Sequence, residues 1–424
     1  VVTDYDSDEN GGGVEEDGNL AQVIPIPLWK QSIQRRTGKD GQPELCPSLI
    51  NATLVLTHDE AFSGSLAMDQ FAGVTKVIRT LPRVEGLEPP PLGPVGKLHI
   101  SYFMMAMAVI NKLSVSQAIC EMAVDYAGAN RSYNPLTEQL ESLRWDGVER
   151  INNWLTNYIG VAPTPYSRNV GRWWLISAIA RALKPGCQVD HILVLEGKQD
   201  AGKSSAFRIL GGEFTLPKLP NLRNYDRASH ALSGKWIVEI GELDAFRGAG
   251  ATEIKDFLSL REDHYHPPYG HHHVTRGRTV VFGGTTNDAQ YLHDATGARR
   301  FWPVKCGTID REALQRDRLQ LFAEAVAAYQ GGAEWWPTED AKADLHAEQE
   351  ARQQVDAWEP LVIEWLTARD GVTTGEVLEG ALKIFPADWS RDNQTRMGHI
   401  LRRLNYFVKQ QREHGVRSRR YYRI

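Results

Sequence analysis

Apolar and polar positions follow different rhythms in successive parts of the chain. From 101 to 183, apolar residues recur three and four apart: Ile110, Leu113, Ile119 and Ala123, then Leu136, Leu140 and Leu143, then Ile151, Trp154 and Leu155, then 173–182. That period predicts helices. At Ile192 it gives way to an unbroken apolar run, ILVLEG, and similar runs return at 236–240 and 279–283. Helical patterns fall between and after these runs, at 204–210, 252–260 and 318–329. Strands alternating with helices predict a parallel α/β sheet whose ligands sit at the carboxyl ends of its strands.

The flanks are less regular. Region 24–89 is mixed, with a strand expected over 52–56 and a turn in HDEAFSG at 58–64, and the Pro/Gly-rich segment 82–96 reads as a boundary. Beyond 338, helices are expected at 359–367, 376–382 and 393–409. The expected division is a disordered acidic lead over 1–22, an N-terminal α+β region over 23–96, a helical domain over 97–184, a core over 185–337, and a C-terminal helical or winged-helix-like basic module over 338–424.

With 424 residues, 42% of them hydrophobic and 24% charged, the balance is that of a soluble multidomain protein. A net charge of −5 argues against a uniformly basic nucleic-acid binder, yet the sum hides its distribution. The first 20 residues carry seven acids and no base, whereas 391–424 carries ten Lys/Arg against two Asp/Glu. Arg396, Arg402 and Arg403 therefore serve either DNA or ion pairs with the acidic lead. Cys46, Cys120, Cys187 and Cys306 form no CxxC pair, which excludes the usual zinc and disulfide frameworks and suits a reducing compartment. No apolar run reaches the roughly 18 residues of a membrane span, and no signal sequence is visible, so a cytoplasmic location is expected. The chain opens at Val1 rather than Met, which leaves room for an upstream segment.

The sharpest chemical signal follows the first apolar run. Gly197, Lys198, Gln199, Asp200, Ala201, Gly202, Lys203 and Ser204 form a complete GxxxxGK[ST], followed by Ser205 and a helical pattern. Glycines let backbone N–H groups close around phosphates, the helix start adds partial positive charge, Lys203 reaches the β- and γ-phosphates, and Ser204 holds Mg²⁺. ATP and Mg²⁺ are the expected cofactors. Such a site needs acids on a neighbouring strand, and KWIVEIGELD supplies Glu239, assigned to the magnesium side, and Glu242, assigned to the attacking water, though the order is reversible. Asn287, just past the third run, can hold the γ-phosphate or the water without adding negative charge. Arg299 or Arg300 can stabilise γ-phosphate charge, within the chain or from a neighbouring copy.

Five stretches together resemble the virulence-associated protein E-like family of phages and mobile elements, related to superfamily 3 helicases and AAA+ ATPases. They are PLTEQLESLRWDGVERINNWL (135–155), VLEGKQDAGKSS (194–205), GKWIVEIGELDAF (234–246), DFLSLREDHYHPPYG (256–270) and TTNDAQYLHDATGARRFWPV (285–304). NATLVLTHDEAFSG and RDRLQLFAEAV extend the match more weakly. The resemblance implies an AAA+-like P-loop ATPase core preceded by a helical domain. It puts Lys203 and Ser204 on Walker A, Glu239 and Glu242 on Walker B, Asn287 on the sensor asparagine, and Arg299 or Arg300 on an intersubunit arginine finger. It further implies a hexameric ring drawing single-stranded or forked DNA through its channel. The DNA-touching hairpin would fall where this chain has Lys255, Arg261 and HYHPPYGHHHVTRGR, with His266, Tyr269, His271 and Arg276 as contacts. The consecutive histidines of that run are poorly spaced for tetrahedral zinc. The chain departs from its relatives at Asn224-Tyr225-Asp226, where a lysine usually precedes the aspartate, and at Asp200, a carboxylate inside a phosphate loop.

The leading reading is an ATP-dependent DNA helicase or translocase in replication of a phage or mobile element. The alternatives are a regulatory or defence ATPase switch, and a DNA-binding scaffold with a degenerate nucleotide pocket. No triad of metal-binding carboxylates outside the core supports priming.

Overall fold

The computed structural model describes residues 27–246, 251–266, 274–292, 298–353, 356–367, 369, 371–413 and 416–423, giving backbone alone for 244–246, 251–252, 412–413 and 416–418. The acidic lead lies outside the described residues. The chain divides into two compact units, one ending at Asn134 and one beginning at Pro135. This division falls inside the stretch expected to form one helical domain, because helices Lys97–Ile110 and Gln117–Ala129 pack with the first unit.

In the first unit those helices and Leu49–His58 enclose a core with Phe62, Phe103 and Met107, beside a four-stranded sheet ordered Gly93–Pro94, Val74–Val77, Leu66–Asp69, Ser132–Tyr133. The strand expected over 52–56 is therefore helix. Ser48 caps it by accepting from the Asn51 N–H, and the buried residues Asn51, Ala52, Val55 and Leu56 lie on one helical face. Aliphatic composition suggested a strand, but burial follows the helical period. The 82–96 segment is no linker, since Gly93–Pro94 pairs with the sheet and the Tyr102 hydroxyl donates to the Pro82 carbonyl at 2.5 Å.

The second unit is built on a five-stranded parallel sheet, so the expected parallel α/β core is present. Its strands are β1 (Ile192–Glu196), β2 (Thr215–Leu216), β3 (Ile237–Ile240), β4 (Val281–Thr286) and β5 (Phe301–Lys305), in spatial order β5-β1-β4-β3-β2. Helices α1 (Pro165–Leu183), α2 (Lys203–Gly211), α3 (Ala251–Ser259), α4 (Arg311–Gln330) and α5 (Lys342–Glu350) complete its framework. On one face, α1 is buried nearly all round: Trp174 donates its indole N–H to the Phe282 carbonyl at 2.9 Å, and Trp236 reciprocates from β3's approach to the Ala178 carbonyl at 2.8 Å. The other face carries a core including Ile192, Val238, Phe257 and Phe282. Gly283 lets α2 approach closely, because a Cβ there would lie 2.3 Å from the Phe207 ring.

The C-terminal residues form three helices, Glu359–Leu366, Thr374–Leu382 and Arg391–Arg403, then an antiparallel ribbon of Tyr406–Glu413 and Val416–Arg423 around a local core with Met397 and Leu401. The helix expected to reach 409 stops at Arg403. Asn405 turns the chain with φ +62°, and the following Tyr-Phe-Val favours the extended backbone.

Candidate nucleotide site

The phosphate-loop motif occupies the turn from β1 into α2. Gly197, Asp200 and Gly202 have φ of +157°, +60° and +89°, and the loop wraps over the start of α2. Asp200 is a residue type that tolerates the left-handed region, and it is exposed, so its carboxylate escapes the cost of burial near phosphates. Lys198 and Gln199 are exposed beside it, while Ala201, Ser204 and Ser205 are half-buried. Lys203 is buried, and its ammonium donates to the Gly197 and Lys198 carbonyls at 2.7 Å each. The charge is thus held in the mouth of the loop.

Parallel register brings the acids to the same end of the sheet. Gly283 of β4 pairs with Glu239 of β3, and Thr286 of β4 pairs with Glu196 of β1. Glu239 is buried, and burial pushes its carboxyl above the ordinary glutamate range, opposed by the neighbouring Ser204 hydroxyl, Arg208 and Thr285, and reinforced by Glu242. Ser204 and Glu239 therefore present two hard oxygen donors side by side. Magnesium is held through one or two carboxylates plus substrate phosphates, so this pair fits the ion without a fuller cage. Among the described residues no group of three or more His, Cys, Asp or Glu is placed to hold a metal.

Glu242 is exposed and follows β3 in a strained turn, with φ of +48° at Glu242 and +51° at Leu243. Thr285 ties the two acids together. Its hydroxyl donates to Glu239 Oε1 at 3.4 Å and accepts from the Glu242 N–H at 3.3 Å. Sequence reading missed Thr285; its signal was a hydroxyl near the end of the strand that leads to Asn287. Asn287 itself is exposed just beyond β4.

A second overlooked element lies beneath the loop. Glu196, the last residue of β1, accepts from Arg352 at 2.9 and 3.0 Å and from the Tyr291 hydroxyl at 2.9 Å. Burial alone would lower the Arg352 pKa, but hydrogen bonds and charge from Glu196 and Glu348 raise it above the ordinary value. No local pattern announces partners 156 residues apart.

The two candidate arginines differ. Arg300 is half-buried and donates from Nε and Nη2 to the Ser259 hydroxyl at 3.0 and 2.8 Å, whereas Arg299 is exposed with no hydrogen-bond or ion-pair partner among the described residues. Asn224, at the departure noted above, caps helix Tyr225–Ala231 by accepting from the Arg227 N–H.

Of the expected DNA contacts, His266 and Arg276 belong to an antiparallel hairpin, Glu262–Tyr265 with Val274–Gly277; Arg276 lies on it and His266 just past its first strand. Lys255 is half-buried on α3, and Arg261 donates from Nε to the Gly186 carbonyl at 2.7 Å at the hairpin's base. Tyr269 and His271 lie outside the described residues. In the basic C-terminal module, Arg396 pairs with Asp356 at 2.7 Å and stacks over Trp358, Arg403 pairs with Glu359, and Arg420 with Glu376 at 3.3 Å. These three arginines are paired with carboxylates inside the module. No helix among the described residues is long and apolar enough to cross a membrane.

The virulence-associated protein E-like domain matches residues 140–354. No curated protein matches the chain. Among solved structures, the chain is similar to the A-form apo structure of the NrS-1 C-terminal region, with a TM-score of 0.44 and 14% identity over 84% of this chain and 95% of that one. Another apo structure of the same region has a TM-score of 0.41 and 12% identity over the same shares. The matched span takes in half of the chain, including β1 to β5, the loop, Glu239, Glu242, Arg299 and Arg300, and the chain belongs to the virulence-associated protein E-like family.

Proposed function

We propose that this protein is an Mg²⁺- and ATP-dependent motor of the AAA+ type, a DNA helicase or translocase acting in replication of a phage or mobile element. The observation that carries this reading is the convergence of Lys203, Ser204, Glu239 and Thr285 at the carboxyl end of one parallel sheet. Lys203 neutralises the β- and γ-phosphates; Ser204 and Glu239 hold Mg²⁺, which supplies charge stabilisation at the phosphates. Glu242 and Asn287 orient the attacking water from the β3–β4 side, and Thr285 is a positioning residue for both acids. Arg299 is the favoured arginine for a neighbouring copy's γ-phosphate in a ring, since Arg300 is engaged by Ser259. The hairpin with Arg276 and His266 supports single-stranded or forked DNA as partner, and the three helices and ribbon at the C-terminus support a winged-helix module.

The test is strand displacement. Forked DNA should stimulate ATP hydrolysis, and one strand should be released in an ATP- and Mg²⁺-dependent manner. Hydrolysis indifferent to DNA would favour the switch reading, and DNA binding without hydrolysis the scaffold.

Glu239→Gln separates stability from function. A carboxyl whose folded pKa is raised stabilises the fold fully below its ordinary value near 4.5, and that contribution is lost as pH rises through the raised value. The melting temperature of the unaltered protein, without nucleotide, should therefore fall relative to the Gln variant as pH rises above 4.5, then run parallel to it. Mg²⁺-dependent hydrolysis by the variant should drop about tenfold or more, since a neutral amide replaces a metal-binding carboxylate.

A further inference from the structure

Resting on the nucleotide reading above, a second positive group can be assigned to the site. The acids come from β3 and the turn after it, with Thr285 of β4 beside them, on one side of the loop, whereas β5 and the start of α4 lie on the other, because β1 stands between β5 and β4. On that other side Arg311, the first residue of α4, runs beside the loop: a Cβ built on Gly202 would sit 3.6 Å from Arg311 Cδ. An open cleft of about 610 Å³ begins there, lined by Ser205 and Ile209 of α2 and by Arg311, Glu312, Gln315 and Arg316 of α4. Its volume is in the range of small-molecule sites.

The arginines of the first turns of α4 have different duties. Arg316 pairs with Asp317, and Arg318 donates to the Leu210 carbonyl and lies over the Phe322 ring. Arg311 is exposed and has no hydrogen-bond or ion-pair partner among the described residues. A guanidinium held by its stem against a phosphate loop, with no carboxylate to neutralise it, is matched to phosphate oxygens.

We propose that Arg311 binds the α- and β-phosphates of a nucleoside di- or triphosphate within its own chain, and that the cleft between α2 and α4 takes the ribose and base. The phosphate chain then runs from the acids, which face the γ-phosphate, across Lys203 to Arg311. Gln315 and Glu312 supply the polar edge that meets the nucleoside.

This placement separates Arg311 from any γ-phosphate group. Arg311→Ala should raise the Kd for ADP and for ATP by the same factor, about tenfold or more, as expected for loss of a charge-assisted hydrogen bond. KM for ATP should rise with it while kcat at saturating ATP stays within about twofold, the pattern of uniform binding. Arg311→Lys, which keeps the charge and loses the planar fork, should recover part of the affinity. Equal ADP affinity in Arg311→Ala and the unaltered protein, or a fall in kcat without loss of ADP affinity, overturns the assignment. ADP binding that Lys203→Ala abolishes and Arg311→Ala leaves intact overturns this assignment alone; an unaltered protein that binds no ADP overturns the nucleotide reading and this inference with it.

Discussion

ATP turnover by Lys203→Ala is expected to fall about 10²–10³-fold, the usual cost of removing one preorganised charge from a phosphoryl-transfer or oxyanion site. The side chain is well suited to such an effect. It is buried, so its field is weakly screened, and it is held at 2.7 Å by two carbonyls of the loop that would surround the phosphates. Truncation also removes a donor from the Gly197 and Lys198 carbonyls, so loop order suffers along with charge. Lys203→Arg is an informative companion, because it keeps the charge in a group too large for the same pocket. Steady-state hydrolysis with Mg²⁺, with ADP binding measured in parallel, checks the expectation. Turnover within about threefold of the unaltered protein would sink the proposed mechanism.

Asp263→Ala is expected to destabilise the second unit by about 3–5 kcal/mol, because it leaves a buried guanidinium uncompensated. The Arg278 side chain has no solvent exposure, and Asp263 only 8%. Arg278 donates to Asp263 from Nε at 3.0 and 3.2 Å and from Nη2 at 2.5 Å, donates to the Phe257 carbonyl, and lies over the Phe257 ring. This pair joins the base of the Glu262–Tyr265 hairpin strand to α3 and to the approach to β4. A fall in melting temperature on the order of 10 °C should follow. The double variant Asp263→Leu with Arg278→Met should recover much of the loss, since a buried ion pair is often replaceable by apolar side chains of similar volume. If Asp263→Ala melts with the unaltered protein, the ion pair contributes nothing and the hairpin is anchored by other contacts.

Local sequence was most informative where chemistry demands a fixed local shape. GKQDAGKSS between an apolar run and a helical pattern predicts a glycine-rich turn from strand into helix, and that turn runs from β1 into α2 with positive φ at Gly197, Asp200 and Gly202. The helical readings near 204–210 and 252–260 stand within a residue of α2 and α3, because their propensity, period and tertiary burial agree. Where those levels disagreed, composition misled. ATLVL reads as a strand by composition, but its buried positions follow a helix, and the helical pattern over 393–409 is cut short where Asn405 turns the chain into a ribbon. The Pro/Gly-rich 82–96 segment reads as a boundary, but Gly93–Pro94 forms an edge of the first unit's sheet.

The glycine-rich turn from strand into helix, the parallel strand–helix core and the residue types of the candidate site were legible in the sequence, since each rests on neighbours a few positions apart. Only tertiary structure decided their relations. Sheet order put β4 between β1 and β3 and so brought Thr285 to Glu239 and Glu242, while Glu196 met Arg352 across 156 residues. It also distinguished Arg300, engaged by Ser259, from Arg299, and set Arg311 against the loop from the side opposite the acids. The reason is physical: a residue's type and local period are encoded nearby, but which charges are buried, paired or left exposed depends on what distant segments pack against them.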